Sequence, residues 1–369
     1  MAVRLRYSAR MTHAVVTGWG KCLPPATLSN ADLATILDTS DEWILTRTGI
    51  RERRISHVGL TELGEVAARH ALAAAGMEPA ALELIVFGTT SFDDQAPNQA
   101  SGLQQRLGAK QAAAMDVNTA CTSFLYAWST ANALIRTGVV KNALVLGGEV
   151  ISRFMDWTNR NVAVLFGDGC AALVLEATGD ATGLLGEKLG CDVEGRDSLG
   201  IRGMGSRHAA FERRMGVTEW IFEGPDIFRR AVSGMVHASV SVLEARGFTA
   251  QDVQLLVPHQ ANLRIIEAVA HKLGVPSDRA FVNVQRYGNM SAATVPVALV
   301  EALEEGRIGP GALLLLPAFG AGLTWCSHLV RWGERVAPRG TSSAALPASP
   351  AIGLELVRGL IRQRERAGG

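Results

Sequence analysis

Cys121, in the run DVNTACTSFLYA, follows a short apolar stretch and precedes a helical pattern over Thr122–Thr137. A thiol in that place lies near the positive end of a helix dipole, which favours thiolate over thiol. A thiolate is the form that attacks a thioester. Taken alone, a cysteine is more often a small buried hydrophobe. His259, in LVPHQANLR, stands where Pro258 ends a strand pattern and a helical one opens at Gln260. Open α/β sheets bind ligands at that carboxyl edge. His57, His70, His208, His237 and His271 lack such punctuation and read as surface histidines. Asn289, in RYGNMSAATVP, separates a strand-like run (Ala280–Val284) from a helix beginning at Ser291. Asparagine there is commonly a cap or turn residue. All three occupy strand-to-helix junctions, so a layered α/β fold can gather them at one rim. They would supply a nucleophile, a base or hydrogen-bond donor, and a second donor.

FGAG (Phe319–Gly322) follows an apolar strand pattern at Ala312–Leu316. Its glycines let the backbone approach a ligand, where N–H groups can form an oxyanion hole, or it is a plain turn. No P-loop is present, and GWGKC at Gly18 lacks the third glycine of a dinucleotide fingerprint, which argues against hydride transfer.

Short apolar runs alternate with longer helical patterns, the mark of an α/β architecture. Strands are predicted at Ala14–Thr17, Leu84–Gly88, Ala113–Val117, Ala143–Leu146, Ala171–Leu175, Gln254–Val257, Ala312–Leu316 and Leu323–Val330. Helices are predicted at Thr61–Ala75, Thr122–Thr137, Asp226–Arg246, Gln260–Leu273 and Ser291–Glu305, each ending at a glycine placed for a left-handed cap. ELIVFGTT from Glu83 aligns with VQLLVPHQ from Val253, and ALVLGG from Ala143 with ALLLLP from Ala312. At that spacing Cys121 falls opposite Ser291. Two matches at nearly one offset indicate a duplicated unit.

The chain has 369 residues, 48% hydrophobic and 19% charged, enough to bury a large core. A formal net charge of +1 offers no electrostatic case for nucleic acid. No apolar run approaches the roughly 20 residues of a membrane span. The basic start has no apolar core to make it a secretory signal, and Met11 is a second candidate start. Five scattered cysteines without a CxxC pair argue against disulfides or zinc and fit a reducing cytoplasm. Val336–Pro350 reads as an Ala/Pro-rich linker, and Leu354–Arg364 as an amphipathic helix packed on the body or frayed.

DTSDEWILTRTGIRERRI (Asp38–Ile55), ACTSF around Cys121, FGDG (Phe166–Gly169), PHQANLRII, YGNMSAATVP and AFGAGLTW resemble the β-ketoacyl-acyl-carrier-protein synthase III family of the thiolase superfamily. The resemblance covers Met11 to Trp332, with the motifs in order. It implies an α/β thiolase-like duplicated five-layer αβαβα fold. The divisions would be an extension at 1–10, a half with the nucleophile at 11–180, a half with His and Asn at 181–333, and a tail at 334–369. It implies that Cys121 takes an acyl group from an acyl-CoA, with the N–H groups of Cys121 and Ala321 as oxyanion hole. His259 and Asn289 would hold the thioester carbonyl of malonyl-acyl-carrier protein during decarboxylation. Trp43 and Arg160 would sandwich the CoA adenine, and Arg47 and Asn262 would make other CoA contacts. Arg264, with Arg229 and Lys272, would dock the carrier protein, although a solvated helix face explains the last two equally well. Coenzyme A enters as substrate, with no cofactor or metal, and a homodimer is expected.

Ser123 stands where the family often has glycine, Pro225 where it often has a CoA-contacting asparagine, and Ala96 where some members carry a bulky aromatic limiting chain length, usually across the dimer interface. Primers longer or more branched than acetyl are therefore expected. Ala321 replaces the middle glycine of its loop, but only its N–H is needed. Two competing readings are an acyltransferase acting on a hydroxyl or amine, and a silent subunit of a condensing heterodimer. The first has no need of Asn289. The second should have lost part of the triad.

Overall fold

The computed structural model describes residues 12–206 and 218–368, so Met11 and His208 lie outside the described residues. One sheet has the spatial order β1 (His13–Cys22), β5 (Gly169–Thr178), β4 (Asn142–Glu149), β2 (Leu84–Gly88), β3 (Ala113–Val117). The other repeats that order as β6 (Gly183–Cys191), β9 (Thr324–Arg331), β8 (Leu313–Gly320), β7 (Leu255–Leu256). Ala280 bridges parallel to Leu256, in the place that β3 holds in the first sheet. Each sheet combines parallel and antiparallel pairs in the same sequence.

The main helices are α1 (Asp41–Thr48), α2 (Leu60–Ala75), α3 (Gln99–Leu107), α4 (Ser123–Arg136), α5 (Gly224–Ala245), α6 (Leu263–Leu273), α7 (Thr294–Glu304) and α8 (Gly353–Gly368). Strand alternation sends Leu144 and Leu146 outward to α2 and α3, and Val145 inward to α4. In the second sheet Leu313 and Leu315 face α5 and α6, while Leu314 and Leu316 face the centre. Phe124 and Trp128 of α4 meet Val295 and Leu299 of α7 in the middle layer. Five layers result, with both sheets covered on both faces, which is why their strands read as unbroken apolar runs.

The structure corrects several expectations. The strand Gly183–Cys191 was not expected, because its polar second half breaks the apolar signal. Ala280–Val284 is no strand; it makes one bridge and then turns into a short helix at Val284–Tyr287. The repeat register shifts by one residue. Ala120 (φ 51°) and Ser291 (φ 47°) open matching one-turn segments, Ala120–Thr122 and Ser291–Ala293. Ser291 is therefore the counterpart of Ala120, and Cys121 that of Ala292.

The C-terminal tail packs on the body. Arg339 N donates to Ala74 O (2.9 Å), and His57 and His70, read above as plain surface histidines, contact the carbonyls of Pro347 (2.9 Å) and Ala344 (3.0 Å). Val357 of α8 is fully buried. Arg364 donates to Thr218 O (2.6 Å) and Oγ1 (3.0 Å), at the entrance to the strand Glu219–Phe222 that borders the active-site cleft. Ending the chain at Arg335 should cost about 2–3 kcal/mol of apolar burial and lower Tm by several degrees, measurable by calorimetry.

Candidate active site

Cys121, His259, Asn289, Ser291 and Ala321 all line one cleft of about 1410 Å³, reached past Trp43, Arg47, Asn262 and Arg264. The expected convergence of the three junctions is therefore present. Cys121 sits in the turn that opens α4, and Asn289 in the loop before α7. Asn289 is locked by its backbone, with N donating to Leu165 O (2.8 Å) and O accepting from Gly167 N (3.1 Å). Its side-chain Oδ1 accepts from Ser291 N (2.8 Å), so the carboxamide NH2 is left for a ligand. His259 is anchored by its N–H to Pro317 O (2.8 Å).

Two glycines let the turns approach. A Cβ on Gly320 would stand 2.8 Å from Cys121 N, and one on Gly147 2.4 Å from Ala292 O. Gly320 thus lays the loop carrying Ala321 against the nucleophile turn. Among the described residues, Ala321 N–H has no backbone acceptor there. This N–H and that of Cys121 can meet an oxyanion together.

Burial holds the imidazole of His259 neutral, lowering its pKa to about 3. Its Nδ1 lies 2.6 Å from Thr294 Oγ1. The single Thr294 hydroxyl proton has two acceptors in reach, His259 Nδ1 and Ser291 O (2.9 Å); turning it to Nδ1 puts the ring proton on Nε2, where it can donate to a carbonyl oxygen in the cleft. Burial also pushes the Cys121 thiol up to about 12, and the Glu149 carboxylate adds to this. The Ser291 hydroxyl and the Cys121 N–H pull the other way. Desolvation thus works against the helix dipole, which by itself favours the thiolate, and tips the resting sulfur towards the thiol.

Other expected site residues are placed less simply. Arg47 and Arg160 both lie against the Trp43 ring, at 4.4 and 4.8 Å from its centroid. Stacking a flat base between Trp43 and Arg160 needs roughly 7 Å, so Arg160 must swing aside to admit adenine. Asn262 caps α6, accepting from Arg264 N (2.9 Å) and donating to Arg47 O (3.1 Å). Its carboxamide is therefore committed to structure. Pro225 starts α5 at the cleft wall.

Arg264 lies at the mouth, 5.8 Å over Phe228. Arg229 is ion-paired with Asp226, and Lys272 is exposed in the last turn of α6. Neither touches the cleft. Ser123 is buried behind the nucleophile turn, accepting from Thr119 N (2.8 Å), and is no part of the pocket floor. Ala96 is exposed and outside the cleft wall.

Sequence reasoning missed Glu149, Ser291 and Thr294 as partners of the nucleophile and the histidine. An acid ending the apolar strand ALVLGGE was the available signal.

Two family models, both described as 3-oxoacyl-[acyl-carrier-protein (ACP)] synthase III, match residues 115–193 and 243–332 (the C-terminal part). A curated relative, beta-ketoacyl-[acyl-carrier-protein] synthase III 2 of Vibrio cholerae, is 50% identical over 96% of this chain and 98% of its own. The synthase III of Roseiflexus castenholzii is 44% identical over 86% of this chain and 98% of its own. The crystal structure of 3-oxoacyl-[acyl-carrier-protein] synthase III from Aquifex aeolicus superposes with a TM-score of 0.81 at 39% identity, covering 86% of this chain and 100% of that one. With identity this high across both halves and a matching thiolase-like fold, the chain belongs to the β-ketoacyl-acyl-carrier-protein synthase III family.

Proposed function

We propose that this enzyme performs a decarboxylating Claisen condensation between an acyl-CoA primer and malonyl-acyl-carrier protein, in fatty acid or related biosynthesis. The observation that carries the reading is the opening of Cys121, His259 and Asn289 into one cleft beside the Ala321 N–H. The Cys121 sulfur attacks the thioester carbon, the N–H groups of Cys121 and Ala321 hold the oxyanion, and coenzyme A leaves. His259 and Asn289 then donate to the malonyl thioester carbonyl while the carboxylate carbon departs as carbon dioxide. The resulting enolate carbon attacks the acyl carbon and expels the sulfur. The enzyme needs no further cofactor.

The Asn289 NH2, without a partner among the described residues, favours condensation over acyl transfer to a hydroxyl or amine. The intact triad favours an active enzyme over a silent subunit. The incompletely covered edge strand β3 supports a homodimer. We place the protein in the cytoplasm, with the two halves meeting near residue 180, where β5 ends and β6 begins. Arg264 is the residue best placed to meet an acidic carrier protein.

Mass spectrometry tests the reading. Mixing with hexanoyl- or octanoyl-CoA should add one acyl group at Cys121, faster than acetyl-CoA does, and malonyl-carrier protein should then release carbon dioxide. No adduct with any chain length would sink the reading, and a preference for acetyl-CoA would sink only the primer assignment.

A further inference from the structure

Glu149 ends strand β4 with no exposed surface and no cationic partner among the described residues. Its carboxyl accepts from the hydroxyls of Ser91 and Thr89 (3.1 Å), from Thr90 N (3.2 Å) and from Ser291 Oγ (3.0 Å). Ser291 is held in a left-handed conformation (φ 47°), a strained backbone that a non-glycine residue keeps only under local constraint. There its hydroxyl donates to Glu149 and lines the cleft together with Cys121, close enough to pull the thiol pKa down. One hydroxyl carries one proton, so donating to the carboxylate leaves its lone pair facing the thiol. The chain Cys121 S–H, Ser291 O–H, Glu149 carboxylate is thus already polarised for proton movement towards the strand.

We propose that Glu149 takes up the Cys121 proton through Ser291 during acylation and returns it when the sulfur is expelled in the condensation. The proposal rests on Cys121 being the nucleophile. In acylation the thiol proton passes to Ser291 Oγ as the Ser291 proton passes to Glu149 Oε1. The thiolate then forms a C–S bond to the acyl carbon, the C–S bond to coenzyme A breaks, and the departing coenzyme A thiolate is protonated by water. In condensation the expelled Cys121 thiolate recovers its proton from Glu149 by the reverse route. Glu149 acts through another side chain and is therefore a positioning residue.

Electrostatics gives the arrangement its logic. An ionised carboxyl beside the sulfur opposes the thiolate, and in a low-dielectric site that opposition is large. The opposition vanishes if the carboxyl itself accepts the proton. It then stays neutral through the second step, when negative charge grows on the malonyl thioester oxygen. Burial raises the Glu149 pKa to about 7, with the four hydrogen bonds opposing it, so the group can both accept and release a proton near neutrality. The titratable groups facing it are the thiols of Cys121 and Cys170, the latter held protonated by burial. His259 is one link further away, through Thr294, whose hydroxyl reaches Ser291 O (2.9 Å).

Single-turnover acylation of the full chain by hexanoyl-CoA, followed by mass spectrometry from pH 5.5 to 9, tests this. The sign follows from an acid that must be ionised to accept. The wild-type rate should climb with pH and level off above about 7. Glu149→Gln should lower the rate about 100-fold at pH 7.5. It should also remove the plateau, because only free thiolate remains and its fraction rises about tenfold per pH unit. A folded Glu149→Gln enzyme with the wild-type rate and plateau overturns the proposal. So does a slower enzyme with an unchanged pH profile, since a packing role alone would give that. Should Glu149→Gln fail to fold, Ser291→Ala leaves the carboxyl in place and must lose rate and plateau alike; a retained plateau overturns the idea. Absence of any wild-type adduct would bring down the nucleophile assignment itself, a result distinct from these.

Discussion

His259→Ala and Asn289→Ala should each slow carbon dioxide release from malonyl-carrier protein by two to three orders of magnitude. Each should leave acylation of Cys121 within about tenfold of wild type. The size follows from what a preorganised donor to a developing oxyanion contributes, roughly 3–4 kcal/mol. The selectivity follows from position. The oxyanion of acylation is met by backbone N–H groups at Cys121 and Ala321, which neither substitution removes. The enolate oxygen of decarboxylation is met by the two side chains. His259 can serve because burial keeps it neutral with Nδ1 against Thr294, and Asn289 because its Oδ1 is occupied by Ser291 N while its NH2 is not. Separate assays of acyl-enzyme formation and of carbon dioxide release make the comparison. Equal losses in both steps would show that the two residues act on the first oxyanion as well, and the division of labour would be wrong.

Gly320→Ala should reduce overall turnover by about 100-fold or more, with a smaller effect on stability. The added Cβ would lie 2.8 Å from Cys121 N and 3.0 Å from Thr119 O, both backbone atoms that cannot rotate away. Either the loop bearing Ala321 or the nucleophile turn must shift, and a displacement near 1 Å at a reacting centre costs on the order of 100-fold in rate. Steady-state kinetics beside a thermal melt would show it. Retained turnover would mean that the two N–H groups do not act as one oxyanion hole.

The local signals in the chain were physical and therefore legible. Each of the five expected helix-ending glycines, Gly76, Gly138, Gly247, Gly274 and Gly306, has positive φ, because a left-handed cap costs glycine little. Leu84–Gly88 is a strand with the expected bounds, its unbroken apolar run demanded by cover on both faces. The unexpected strand Gly183–Cys191 is the converse case: its outer half is exposed, so burial left no pattern to read. The same reasoning covers the tail. Its helical spacing at Leu354–Arg364 was visible, but the carbonyls that His57 and His70 would contact were not.

The sequence by itself determined the identities and junction positions of Cys121, His259 and Asn289, since Pro258, the glycine caps and the apolar runs punctuate the chain locally. Only the tertiary structure decided the state of the sulfur. A helix dipole can be inferred from neighbours in sequence, whereas desolvation and the nearness of Glu149 depend on segments far apart in the chain meeting around one atom. The same holds for Asn262 and Arg160, whose side chains are already engaged by Arg47, Asp38 and Trp43. Residue type sets what a side chain can do, and packing sets which of its partners it has.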